Sequence, residues 1–435
     1  MPPLYRLPAD PIVTIIADFN VNSYRKISFY YENNYPFSTS LRLVKKLQVY
    51  YTAKEHRGRS FGAGGRGTET SMLMTRDKHF YGWFFRLTLT IALQNLIVFS
   101  VSFADNIMLG AYSQDALSGV ALVNQIQFIL QMLTMGVGEG IVVLGAQFWG
   151  KRDTEPIKRI TNCGLRIGLV ISLLLWAAVF FFPHFCLSLF TNEERVIAEG
   201  MQYLRIICFS YPLFAFTNIL LCSLRSVETV RIGFFVSLST LMINVGLNYV
   251  LIFGRFGAPE LGIRGAAIGT LIARSLEFLI VLFYVIKADK KVQIFRGNVF
   301  REIFSTENKK LWTEFIRVSS PVILSNMLWS ISVPMQKAIL GHLSADAIAA
   351  NSVVTTFFQY LKVIVIAIAS ASSVVIGKSI GEGDRKEIRA AGRTLSVLDV
   401  CIGILLAVVL LILRKPLLTM YNLTDTAMVL ADHLM

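Results

Sequence analysis

The chain has 435 residues, of which 54% are hydrophobic and only 16% charged, with a mean hydropathy of +0.57. Soluble domains carry about 25% charged residues, so the composition excludes a soluble globular protein and points to a polytopic membrane protein. The formal net charge of +14 lies in loops between apolar stretches, where bilayer orientation calls for it, so nucleic acid is not an expected partner.

Residues 1–74 are polar and aromatic and carry SFGAGGRGTE near their end. They lack the basic start, apolar run and small-residue cleavage site of a signal peptide, and read as a disordered or spurious extension. From there the apolar stretches predict helices over 81–109, 116–149, 160–190, 200–226, 232–253 and 262–286. Each is long enough to cross a bilayer, which takes about 20 residues. Pro212 and Pro321 fall inside predicted helices and are expected to kink them. Residues 287–310 mix Lys and Arg with Ile294, Phe295, Val299 and Phe300, the pattern of an amphipathic linker lying in the membrane interface. Further helices are predicted over 311–340, 345–380 and 388–420, with another starting at Thr424. The expected domains are therefore a first lobe over 75–286, the linker, and a partial second lobe over 311–435.

The chain repeats itself. A shift of 231 positions superposes 85–153 on 316–384 without a gap. Arg86 then meets Arg317, Asn95 meets Asn326, Gly150 meets Gly381 and Asp153 meets Asp384. Six helices precede the second copy, so both copies run in the same sense and are related by an axis along the membrane normal. The expected fold class is all-α, with two six-helix lobes and the second truncated after about 3.5 helices; closing the repeat would take roughly 80 further residues. Loops at one end of the predicted helices hold 18 Lys and Arg, and those at the other end hold 5. The basic end, with the N-terminus, is expected to be cytoplasmic.

Five cysteines (Cys163, Cys186, Cys208, Cys222, Cys401) show no metal or CxxC spacing and read as small core residues. Nothing resembles a nucleotide-binding fold. The glycines around Glu139 in GVGEG suit close helix packing rather than a phosphate loop, which needs a preceding strand.

Several stretches together resemble the multidrug and toxic compound extrusion (MATE) family of secondary transporters. They are ADNIMLG, DALSGVALVNQ, GVGEGIVVLGAQFWGKRD, LRSVETVR, MINVGLNYVLIFG, FGAPELGIRGAAIGTLIAR, ILGHLSADAIAANSVV and IGKSIGEGD, in the family's order from Tyr81 onward. The resemblance implies twelve helices in two six-helix lobes around a central cavity, and a single chain with two lobes, a monomer, is expected to suffice. It implies a multi-pass plasma-membrane protein that exports cationic or amphipathic organic compounds in exchange for protons or sodium, with no other cofactor. A flippase for a lipid-linked precursor is the rival reading.

Asp105 is the leading candidate site residue. A carboxylate in a span is costly and usually marks an ion path, and Asp105 matches the acid of the family's first helix, implying a coupling site for H+ or Na+. Asn244 and Asn248 lie one helical turn apart on one face and resemble family positions that join this acid, although one branch carries Asp where this chain has Asn248. The glutamate that another branch uses for sodium is replaced here by Trp329. Glu139, Gln125, Gln131, Lys362 and Asp399 are polar residues within predicted spans and are candidates for the substrate cavity, with Lys362 expected to snorkel, pair with Asp399 or face the cavity. Arg274 and Glu277, three apart on one helix, are expected to pair.

Overall fold

A computed structural model describes residues 75, 77–295, 309–341, 345–383, 385–418 and 425–434. The extension at 1–74 and most of the linker lie outside the described residues. The helices are α1 (Lys78–Tyr112), α2 (Gln114–Gly150), α3 (Glu155–Phe181), α4 (Pro183–Ser188), α5 (Glu194–Ile207), α6 (Ser210–Ser226), α7 (Arg231–Phe253) and α8 (Gly262–Phe283). The second bundle is α9 (Lys309–Gly341), α10 (Ala345–Glu382), α11 (Arg385–Leu418) and α12 (Asp425–Leu434). Among the described residues seven helical segments are long and apolar enough to cross a membrane, and the bent α5–α6 pair makes an eighth if taken as one span. The chain is thus a multi-pass, all-α membrane protein of two helical bundles.

Local chemistry explains the breaks. The Asp77 side chain accepts from the His79 N–H and opens α1, filling one of the donors a helix start leaves unpaired. A single extended residue, Ser113, turns the chain from α1 into α2. The predicted helix 160–190 is in fact two, because Phe182 leaves helical geometry immediately before Pro183. A proline disfavours the helical region for the residue ahead of it. The predicted helix 200–226 is also two, bent by 56° between α5 and α6. There Pro212 has no N–H to pair with the carbonyl four residues back, at Cys208, where α5 ends. The start of the linker is not an interfacial helix. A π-turn over Tyr284–Ala288 is followed by a loop in which Asp289 accepts from the N–H groups of Lys291, Val292 and Gln293. That loop folds Ile294 and Phe295 into the protein core, 1% and 3% exposed, instead of offering them to lipid.

The repeat-related helices α2 and α10 form the centre. In each, 56% of the most apolar stretch is buried, against 11–33% in the other described helices long and apolar enough to span a membrane. They meet at their basic ends, where glycine lets the two backbones touch. A Cβ on Gly381 would sit 2.0 Å from the Gln147 carbonyl oxygen, and one on Gly150 would sit 2.1 Å from that of Lys378. Gly150 and Gly381 are partners under the 231-residue shift, so the pseudo-two-fold axis passes between them.

Two apolar clusters join the bundles toward this end. One packs Phe315 against Val137, Ile141 and Leu144, and the other packs Ala367, Ala371 and Val374 against Phe84, Val142 and Cys222. A third cluster, built from Leu109, Ala116, Val120, Leu187, Ile252 and Ile263, belongs to the first bundle alone and fills its far end.

Candidate functional site

Asp105 lies seven residues before the end of α1, roughly 10 Å along the helix axis at 1.5 Å per residue. It is 8% exposed and faces into the first bundle. Across from it, α7 presents Asn244 and Asn248, four residues apart and both 0% exposed. The Asn248 Nδ2 donates to Asp105 Oδ1 and lies 3.4 Å from Asn244 Oδ1. The Asn244 Nδ2 donates in turn to Thr270 Oγ1 on α8 at 3.0 Å. Tyr203 on α5, 2% exposed, is buried beside the same threonine. The structure therefore brings together the three residues expected for ion coupling, and adds Thr270 and Tyr203.

Close packing holds this group. A Cβ on Gly269 would lie 2.4 Å from Asn248 Oδ1, so α8 presses the amide toward α1. Arg274, one turn beyond Thr270 on α8, is the cation acting on both Asp105 and Tyr203. It is held by Glu277 at 2.7 Å, the expected pair, and lies over the Phe214 ring at 5.0 Å. Asn248 Oδ1 is buried without a hydrogen-bond partner. One carboxylate among neutral amide and hydroxyl oxygens suits a proton or a small hard monovalent cation, since such ions take oxygen ligands. Among the described residues no cluster of three or more His, Cys, Asp or Glu could hold a metal ion.

The other candidates do not join this group. Glu139 is half-buried on α2, with Arg225 of α6 as the charge acting on it. That arginine donates to Ser370 Oγ of α10 at 3.0 Å and so ties the two bundles. Gln125 and Gln131 are half-buried on α2. Lys362 is exposed and lies over the Trp329 ring at 4.7 Å, and no ion pair joins it to Asp399 among the described residues. Asp399 is exposed on α11. A cation on an aromatic face is favourable by about 0.5–2 kcal/mol, so Trp329 gives Lys362 a partner other than a carboxylate.

Sequence reasoning missed Thr270 and Tyr203. Thr270 carried a usable signal, standing one helical turn before Arg274 in an apolar stretch. Tyr203 carried none beyond its place in a helix with a polar face.

The MatE family profile matches residues 90–250 and 321–435, which is most of both bundles. The chain belongs to the MATE family. Members of this family are transporters and not enzymes. The Bacillus subtilis probable multidrug resistance protein YoeA is 26% identical over 325 residues, covering 74% of this chain and 69% of the relative. The Thermotoga maritima probable multidrug resistance protein NorM is 25% identical over 338 residues, covering 78% and 71%. Among solved structures, a MATE crystal structure in a bent conformation gives a TM-score of 0.72 at 17% identity, over 81% of this chain and 77% of that one. The Vibrio cholerae MATE transporter VcmN gives 0.71 at 21% identity, over 80% and 77%. Under the 231-residue shift, α9–α12 align with α1, α2, α3 and α5.

Proposed function

We propose that this MATE protein is a secondary active antiporter of the plasma membrane that exports organic compounds, cationic or amphipathic, against an inward flow of protons or sodium. The observation that carries the reading is the hydrogen bond from Asn248 to Asp105, a buried carboxylate held by neutral donors inside one bundle. The names of the relatives support the substrate class, since both are called probable multidrug resistance proteins.

The mechanism follows from where the contacts lie. The bundles meet at the basic end, taken as cytoplasmic because Lys and Arg gather there. With that end closed, Asp105 sits near the opposite, outer end. A proton or cation entering from outside neutralises its charge. Asn248 Oδ1, Asn244 Oδ1 and Thr270 Oγ1 are the oxygens at hand to complete the shell of a cation. Neutralisation weakens the charge-assisted bond to Asn248 and alters how α1 packs on α7. Coupling requires that ion binding differ in free energy between the inward- and outward-open states, and a bond joining two helices of one bundle supplies such a difference.

The test is a gradient jump in proteoliposomes loaded with a fluorescent organic cation. We expect transport under a proton or a sodium gradient, and its loss in Asp105→Asn. Transport that persists in Asp105→Asn under the same gradient would refute the coupling role.

A further inference from the structure

Outside the coupling site, a cavity of about 620 Å³ opens at the basic end between α1, α7 and the end of α8. Arg86, Arg231, Lys290 and Lys291 line it together with Trp83 and Tyr284. Two acids also line it, but both are engaged. Glu228 is ion-paired to Lys378 at 2.8 Å, and Asp289 accepts from three backbone N–H groups. Lys291 Nζ donates to the Val227 carbonyl. The side chains of Arg86, Arg231 and Lys290 make no ion pair or hydrogen bond among the described residues, and α7 starts here with no side-chain cap on its first turn. Positive charge therefore exceeds what the protein itself neutralises.

Exposed apolar side chains flank the cavity. Phe235 on its wall is 60% exposed, Phe283 at the end of α8 is 66% exposed, and Ile286 on the π-turn that follows is 39% exposed. Arg86 lies eight residues into α1, roughly 12 Å from its start, on the first turns of a helix apolar enough to span a bilayer. Trp83 and Tyr284 are the amphipathic rings that favour that layer. Basic pockets between spans at a cytoplasmic face suit anionic headgroups, and a soluble phosphate would gain nothing from the apolar wall.

We propose that this cavity is a binding site for the headgroup of an anionic phospholipid, with Arg86, Arg231 and Lys290 on the phosphate and the acyl chains running along Phe235 and Phe283. A lipid seated there would brace α1 against α7, the two helices that carry Asp105 and Asn248.

The test is native mass spectrometry of the full chain in detergent, titrated with phosphatidylglycerol and with phosphatidylcholine. Preferential retention of phosphatidylglycerol is expected. It should fall about fivefold for each cation removed and about a hundredfold in Arg86→Gln/Arg231→Gln/Lys290→Gln. A control triple, Lys151→Gln/Lys309→Gln/Arg389→Gln, removes equal charge from the same end outside the cavity and is expected to retain the lipid. Equal loss in both triples would overturn the proposal, as would undiminished retention in the cavity triple. Inorganic phosphate at millimolar concentration is expected not to displace the lipid; displacement would overturn the lipid assignment. Monodispersity on size exclusion separates lost binding from lost folding. None of these readouts depends on transport, so the proposal can fail while the antiport reading stands.

Discussion

Removing the ion pair between Glu228 and Lys378 should open the basic end of the protein. Glu228 sits in the turn after α6, and Lys378 sits on α10 in the other bundle. They are 2.8 Å apart with side chains 18% and 33% exposed. The Trp149 indole N–H also reaches Glu228 at 3.3 Å, and Lys378 lies over the Trp83 ring at 5.0 Å. The backbone argues that the carboxylate is kept for what it holds. Glu228 has φ +60°, in a cap where Thr229 N–H returns to the Leu224 carbonyl and Glu228 N–H to that of Arg225. Glycine is the usual residue there, and a side chain costs about 1 kcal/mol. Exposed pairs are worth about 0–1 kcal/mol, and breaking a buried pair costs about 3–5. This half-buried pair falls between, at about 1.5 kcal/mol. Because it joins the bundles only while they touch, Glu228→Gln should favour the state open at the basic end about tenfold. The assay is electron–electron double resonance between spin labels at Lys151→Cys and Arg389→Cys, one on each bundle. Cys186 and Cys401, the two cysteines that are not buried, would be replaced by serine. Lys378→Gln should give a similar shift, and the double variant little more than either. An unchanged distance distribution in Glu228→Gln, or shifts that simply add in the double variant, would refute the reasoning.

Three further outcomes follow from the packing around these helices. Gly269→Ala, whose Cβ would press on Asn248 Oδ1 at 2.4 Å, should reduce gradient-driven transport at least tenfold while leaving expression near normal; full activity would detach Asn248 from coupling. Arg274→Met leaves Glu277, only 7% exposed, without its partner and should cost about 3 kcal/mol, read as a clear drop in melting temperature. Arg274→Met/Glu277→Leu should recover most of that loss. Gly381→Val cannot fit beside the Gln147 carbonyl and should disfavour the state closed at the basic end, lengthening the same label-to-label distance.

The helices and their repeat were legible because lipid imposes long apolar stretches and the duplication preserved register across 231 residues. Asp105 and the asparagine pair were legible for a related reason: polar groups in a span are conspicuous, and a four-residue spacing fixes their common face. The bend near Pro212 was expected as a kink, but the break at Pro183 was not read, because apolar composition continues across it and hides the change of direction. The ties between bundles were invisible for a different reason. Arg225 to Ser370 and Glu228 to Lys378 join residues 145 and 150 positions apart, and no local period encodes such a meeting. At the start of the linker, Ile294 and Phe295 have the composition of an interfacial helix, whereas the Asp289 turn sends these two residues inward.

The contact between Gly150 and Gly381 brings backbone against backbone, with no side chain between them to yield. While it is made, it acts as a pivot at one end of a lever. Helix α2 has 37 residues, about 55 Å at 1.5 Å per residue. A tilt of about 10° about the pivot would carry its far tip roughly 10 Å, wider than an aromatic ring, on that geometry. The end of α2 far from the glycine contact is thus free to swing while the basic end stays joined.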